Sequence, residues 1–186
     1  IEVYNDALTK EQCEKIIDFI DSSDLTPGLV QTPLKADLIQ SEKDSWDISL
    51  NADDTSIEIN DLIFKSLTRC IQDYKKQHPQ IDQLATWRYC QEYNLQKYNP
   101  GQAYHSIHCE NMNPKSSLRI LAWMFYLNTV TDGGGTYFDN YDITMNAVQG
   151  RCVIWPAYWT HFHRGIVSKT ETKYIVTGWM NYIDST

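Results

Sequence analysis

At about Ala85 the apolar residues stop recurring at helical spacing and begin to alternate. That change of period constrains the fold more than any other feature of the chain. From there onward the pattern predicts short strands near 86–98, 103–110, 118–128, 135–138, 142–148, 151–155, 163–167 and 172–183. Turn signals separate them: Asn99-Pro100-Gly101, Asn113-Pro114, Asp132-Gly133-Gly134-Gly135 and Gln149-Gly150.

The residues before Ala85 read differently. Ile1 to Tyr4 alternate like a short strand, and Thr9 with Gln12 three positions on forms the capping box of a helix. Ile16, Ile17, Phe19 and Ile20 give that helix its apolar side, and Asp21-Ser22-Ser23 ends it. Thr26 to Ser45 is polar, holds Pro27-Gly28 and Pro33, and has no period. A loop of this length inside a compact domain is a functional or mobile element, here expected to order over a bound peptide as a lid. Trp46, Ile48 and Leu50 predict a half-buried strand. From Asp53 or Asp54 to about Gln77, Ile57, Leu62, Ile63, Leu67, Cys70, Ile71 and Tyr74 recur at helical spacing until His78-Pro79 stops them.

Helices followed by many short strands define the α+β class. The expected architecture is a double-stranded β-helix, a jelly-roll or cupin-like core with the N-terminal helices packed on one sheet. The chain, 186 residues long, reads as one domain over 1–186, helical over about 1–80 and jelly-roll over about 85–183.

Composition narrows the function classes. A formal net charge of -8 argues against nucleic-acid binding, which needs clustered Lys and Arg. Five cysteines, an odd number without a CxxC pair, suit a reducing compartment such as the cytoplasm. No apolar run is long enough to span a membrane, and no signal-peptide pattern opens the sequence.

The chemistry concentrates between Tyr98 and Trp179. On a strand, His108 and Glu110 would leave the same face, and His163 from a later strand would complete a two-histidine, one-carboxylate set. Such a face leaves coordination positions open and suits Fe(II) oxygen chemistry. His161 shares parity with His163, but the ten-residue step to Lys173 selects His163 and leaves His161 behind the ligands or at the surface. Thr177 and Trp179 share a strand face with Lys173. A lysine beside a hydroxyl holds a carboxylate by a charge-assisted hydrogen bond. Metal chelation at one end and this lysine at the other describe a site for 2-oxoglutarate.

Here the chain resembles the prolyl 4-hydroxylase group of 2-oxoglutarate/Fe(II)-dependent dioxygenases. The matching stretches run in the family's order: Leu95 to Tyr104, Arg119 to Asn128, Gly133 to Phe138, Val148 to Arg151, Trp155 to Gly165, and Lys173 to Trp179. The resemblance covers roughly the C-terminal half. It implies Fe(II) on His108, Glu110 and His163, with 2-oxoglutarate and O2 consumed and ascorbate as an auxiliary reductant. It also implies Lys173 on the distal carboxylate of 2-oxoglutarate, with Tyr98, Tyr126 and Thr177 contacting the same co-substrate. Tyr104 and Trp179 would face a peptide or protein substrate, with Arg164 as a further contact. The implied reaction is hydroxylation of a prolyl residue with release of succinate and CO2. Three readings compete on the same residues: a hydroxylase of another amino acid or a small molecule, a metal-holding jelly roll that only binds its ligand, and a zinc hydrolase lacking an evident general base. The sequence departs from the family at Glu110, where Asp is usual, at Gly135 in place of a usual Glu, and by one extra residue between Tyr104 and His108. The extra methylene of Glu110 requires the metal or the chain to shift.

Overall fold

The computed structural model describes residues 1–31, 36, 37 and 39–183. Its strands in chain order are β1 (Glu2–Tyr4), β2 (Thr26–Pro27), β3 (Val30–Gln31), β4 (Ala36–Asp37), β5 (Trp46–Asn51), β6 (Trp87–Tyr89), β7 (Glu92–Tyr98), β8 (Arg119–Tyr126), β9 (Thr136–Phe138), β10 (Ile143–Met145), β11 (Cys152–Pro156), β12 (His163–Gly165) and β13 (Lys173–Tyr182). Two helices precede the barrel, α1 (Lys10–Asp21) between β1 and β2 and α2 (Glu58–Gln77) between β5 and β6.

One large sheet runs in the order β1-β11-β8-β13-β7-β5-β2, with β6 pairing the far end of β13. A smaller sheet runs β10-β9-β12, and β3 pairs β4. Every ladder is antiparallel. The two principal sheets make the jelly-roll core expected from the alternating pattern.

The large sheet is buried on both faces, which explains why Ile120 to Leu127 is a continuous apolar run rather than an alternating one. Leu121, Trp123 and Phe125 face the helices. There they meet Cys13, Ile16 and Ile20 of α1 and Ile59, Ile63, Leu67 and Cys70 of α2. Ala122, Met124 and Tyr126 face inward and pack with Tyr98, Phe138, Trp155 and Ile175. Gly178 on β13 lies over Trp123, whose ring would stand 2.4 Å from an added Cβ. The indole fills the space of a side chain there.

The Thr9–Gln12 capping box forms as expected, with Gln12 N–H donating to Thr9 Oγ1 and Thr9 N–H to Gln12 Oε1. Three expectations are corrected. The second helix starts at Glu58, not at Asp53 or Asp54. Residues 51–57 are turns instead, because Asp54 Oδ1 accepts from Ser56 and the Asn60 amide donates to the carbonyls of Asn51, Ala52 and Asp54. Residues 86–98 are two strands, with Cys90 N–H turned to Trp179 O between them. No strand spans 103–110, where the backbone makes only isolated bridges, Lys43 with Tyr104 and His108 with His163.

The segment 26–45 was expected to be a lid. Residues 32–35 and 38 lie outside the described residues. Its two ends are stitched down: β2 pairs β5, Gly28 N–H donates to Ser45 O, and Asp44 N–H donates to Ala103 O. The N–H groups of His105 and Ser106 both donate to Glu42 O.

Candidate metal centre and the cleft around it

The backbone bridge between residues 108 and 163 builds the centre. His108 and His163 exchange both main-chain hydrogen bonds, at 2.9 and 2.8 Å, which sets their rings side by side with centroids 4.4 Å apart. Two residues on, Glu110 N–H donates to Ala157 O and turns the carboxylate back toward both rings. Glu110 Oε1 lies 3.2 Å from His163 Nε2 and 3.7 Å from His108 Nε2. Ligand atoms of the three residues all fall within 4.8 Å of one another, and they form the one such His/Cys/Asp/Glu group among the described residues.

The ring nitrogens are committed. His108 Nδ1 faces Ser106 O and His163 Nδ1 faces His161 O, each at 2.9 Å. In both cases a donated Nδ1–H leaves the Nε2 lone pair free toward the cluster, the arrangement that orients histidine ligands. Tyr104 stacks on His108 with centroids 3.7 Å apart and 15° between the planes. Burial and the neighbouring His163 hold the His108 imidazole down at about 4, so it is neutral at pH 7. Burial alone would push the Glu110 carboxyl up. The His163 hydrogen bond, electrostatic interaction with the two imidazoles and the Arg119 guanidinium outweigh it and hold the group well below the usual carboxylate range. A neutral imidazole and an ionised carboxylate are the forms that bind a metal.

These residues open into a cleft of about 470 Å³. Lys173, Ile175, Thr177 and Trp179 line it from β13, Gln96 and Tyr98 from β7, Asp47 and Ser49 from β5. Lys173 is 4% exposed and has no carboxylate partner among the described residues; its Nζ rests 4.4 Å from the centroid of the Tyr98 ring. Burial lowers its ammonium to about 8. Trp155 also lines the cleft, and its buried indole nitrogen has no hydrogen-bond partner among the described residues. A buried cation and a buried donor without acceptors are what a carboxylate-bearing ligand would satisfy.

The ligand separations fit a metal. With bonds of about 2.0–2.2 Å, two ligands at right angles lie about 3 Å apart, close to the observed Glu110–His163 separation.

The other residues singled out from the sequence divide. Tyr98, Tyr104, Thr177 and Trp179 all line the cleft. The Tyr98 hydroxyl, however, donates to Gln96 Oε1 at 2.9 Å and Thr177 Oγ1 to Trp123 O at 3.2 Å, so Tyr98 offers Lys173 its ring face. Tyr126 is fully buried behind Thr136, with its hydroxyl bonded to Thr136 Oγ1 and Met145 O. It is Thr136 that reaches the cleft. Arg164 is corrected: beside an inward His163 it must point outward by alternation. It is exposed, with its guanidinium 5.3 Å from the centroid of the Tyr137 ring. His161 is buried rather than at the surface, with its Nε2 3.1 Å from Tyr141 OH.

Trp179 does more than wall the site. Its Nε1–H donates to Glu110 Oε2 at 2.7 Å. Arg119 stacks on Trp179 at 3.6 Å and donates to Glu110 O at 3.1 Å. The sequence reading also missed Asp47 and Lys43, a buried ion pair at 2.5 Å, with Ser45 Oγ and Gln96 Nε2 donating to the same carboxylate. Asp47 sits on the polar side of an alternating strand, which was assigned to solvent. That side of β5 is the cleft wall.

A jelly roll holding two histidines and one carboxylate at the mouth of a lysine-floored cleft defines a non-haem metal oxygenase architecture. Residues 93–181 match the family model described as the 2OG-Fe(II) oxygenase superfamily. Among solved structures it is similar to a viral collagen prolyl hydroxylase from Paramecium bursaria Chlorella virus-1 in a 2OG complex. That pair shares 18% identity over 98% of this chain and 96% of the other, with a TM-score of 0.72. A Pseudomonas putida prolyl-4-hydroxylase matches at 14% identity over 98% and 92%, also with a TM-score of 0.72. A Trichoplax adhaerens prolyl hydroxylase in complex with a hypoxia inducible factor oxygen degradation domain peptide fragment matches at 15% over 97% and 82%, with a TM-score of 0.71. No curated protein matches the sequence significantly. The chain thus has the fold of the prolyl 4-hydroxylases, with a His-Glu-His group placed to hold a metal ion.

Proposed function

We propose that this protein is an Fe(II)- and 2-oxoglutarate-dependent oxygenase that hydroxylates a prolyl residue within a peptide or protein, with His108, Glu110 and His163 as the metal ligands and Lys173 as the anchor for 2-oxoglutarate. The observation that carries the site assignment is the buried, unpaired Lys173 in the same cleft as the triad. A lectin-like or structural metal site has no use for such a cation. The prolyl assignment is supported by the sequence motifs and by the three prolyl hydroxylases sharing the fold. The peptide assignment is supported by the Trichoplax neighbour, whose complex holds a peptide fragment.

Held by His108, Glu110 and His163, an Fe(II) ion would supply the oxidative chemistry on 2-oxoglutarate and O2. The protein's own residues do the rest. Lys173 holds the distal carboxylate, with the Tyr98 ring beneath its ammonium. Met124 and Ile175 keep the floor of the cleft apolar and exclude water. Tyr104 pins His108 from the substrate side. We take residues 1–186 as one catalytic domain, because the helical faces and the outer sheet face are spent on each other. A reducing, cytoplasmic setting is supported by five cysteines, none of them paired. No described helix is long and apolar enough to cross a membrane.

Under anaerobic conditions Fe(II) plus 2-oxoglutarate should give a visible metal-to-ligand charge-transfer band, and His108→Ala should abolish it. Intact protein without the band would sink the site assignment. Succinate release stimulated by proline-containing peptides supports the substrate assignment. Release by other peptides alone moves the reading to another side chain.

A further inference from the structure

Glu110 carries one methylene more than the aspartate expected at its position, and its two oxygens are treated differently by the fold. Oε1 faces His108 and His163 at 3.7 and 3.2 Å. Oε2 accepts the Trp179 indole N–H at 2.7 Å and lies 3.6 Å from Arg119 Nη1. The indole is itself fixed: Arg119 stacks on it at 3.6 Å while donating to the Glu110 carbonyl, so ring, guanidinium and carboxylate lock one another.

We propose that Trp179, clamped by Arg119, is a positioning residue that keeps Glu110 a one-oxygen metal ligand and thereby lets a glutamate serve in this site. The inference rests on the metal-site assignment above. A glutamate has an additional torsion with which to swing its carboxylate, and a carboxylate binds metals through one oxygen or two. Three single-atom ligands leave three positions of an octahedral ion open. A second oxygen from Glu110 would close one that the co-substrate needs. A strong donor already on Oε2 disfavours that second bond, because turning Oε2 to the metal would weaken its hydrogen bond with the part-buried indole N–H. The same hydrogen bond determines which of the two oxygens points at the histidines. Trp179 therefore has a role independent of any contact with substrate.

The test uses Co(II) alone, then Co(II) with 2-oxoglutarate, on the intact chain and on Trp179→Phe, which keeps an aromatic ring for Arg119 and removes only the donor. Loss of a hydrogen bond to a ligating carboxylate costs about 10–100-fold in metal affinity. Calorimetry should show that loss in Trp179→Phe, with an altered Co(II) d–d spectrum and a weakened spectral response to 2-oxoglutarate. Circular dichroism and Tm report whether the fold persists. The same substitution in a Glu110→Asp background, where the shorter carboxylate loses its reach to the indole, should change Co(II) affinity by less than about threefold. Unchanged Co(II) affinity and spectrum in Trp179→Phe would overturn the inference while leaving the site assignment intact. So would an equal loss in both backgrounds, which marks a merely structural tryptophan. Wild-type protein that binds no Co(II) overturns both.

Discussion

Lys173 concentrates the cost and the use of this site in one side chain. Burial lowers its ammonium from 10.5 to about 8, a penalty of about 3 kcal/mol on the folded state at neutral pH. The folded chain sheds this proton before the unfolded chain does. The penalty is therefore full below about pH 8 and fades as pH rises toward the unfolded value. Without ligand, Lys173→Met should stabilise the protein at pH 7 by up to about 3 kcal/mol in urea unfolding. That gain should shrink between pH 8 and 10, and binding of 2-oxoglutarate should be lost. In the wild type, the co-substrate needs the charged form, so its Kd should rise about tenfold per pH unit above about 8. A variant that is less stable than wild type at pH 7 would show that the lysine has a partner. Lys173 was legible in sequence because its ten-residue offset from His163 and its strand parity suffice to place it. The duties of Trp179 and Tyr126 were not, since parity gives a face but not the acceptor that a polar atom finds there.

At the scale of elements, the strands around the cleft explain both the success and the errors of pattern reading. Apolar patterning located β8, β11 and β13 within a few residues, because each has at least one face against apolar neighbours. It failed on 103–110, where the backbone bonds go to Glu42, His163 and Ala157 rather than along a ladder. The convergence of His108 and Glu110 comes from those three partners, not from the two-residue repeat of a strand. It also misjudged β5, whose polar face looks into the cleft. The ion pair there joins the segment before β5 to the barrel wall, since Lys43 reaches Asp47, and Asp47 accepts from Gln96 of β7. Breaking a buried pair from one side leaves an uncompensated charge. Lys43→Met should lower stability by about 3–5 kcal/mol in chemical unfolding, and adding Asp47→Asn should restore part of it. A single variant as stable as the wild type would mean the pair is not buried in solution.

At the scale of the molecule, the helices occupy one side of the large sheet, so the open face of the barrel is left to the cleft. Its walls continue beyond the metal residues, with Glu92, Asn94 and Ser49 on one side and Met112, Asn113 and Lys115 on the other. A cleft so extended offers binding surface that a free amino acid cannot use. Remote contacts of this kind are where peptide substrates gain transition-state stabilisation. With succinate release as the measure, kcat/KM for a proline-containing peptide of several residues should exceed that for free proline by more than about tenfold. Equal values would confine recognition to the metal-side pocket.

The sequence by itself determined the class of fold, the order of its main helices and strands, and the candidate residues His108, Glu110, His163 and Lys173, because hydrophobic period and residue spacing are local properties of the chain. Tertiary structure alone decided how the triad is assembled and what holds it. The bridge between His108 and His163, the indole on Glu110 Oε2 and the burial of Lys43 with Asp47 join residues 55, 69 and 4 positions apart. In each, a polar group removed from water takes the nearest partner that folding brings to it, and no local pattern names that partner in advance.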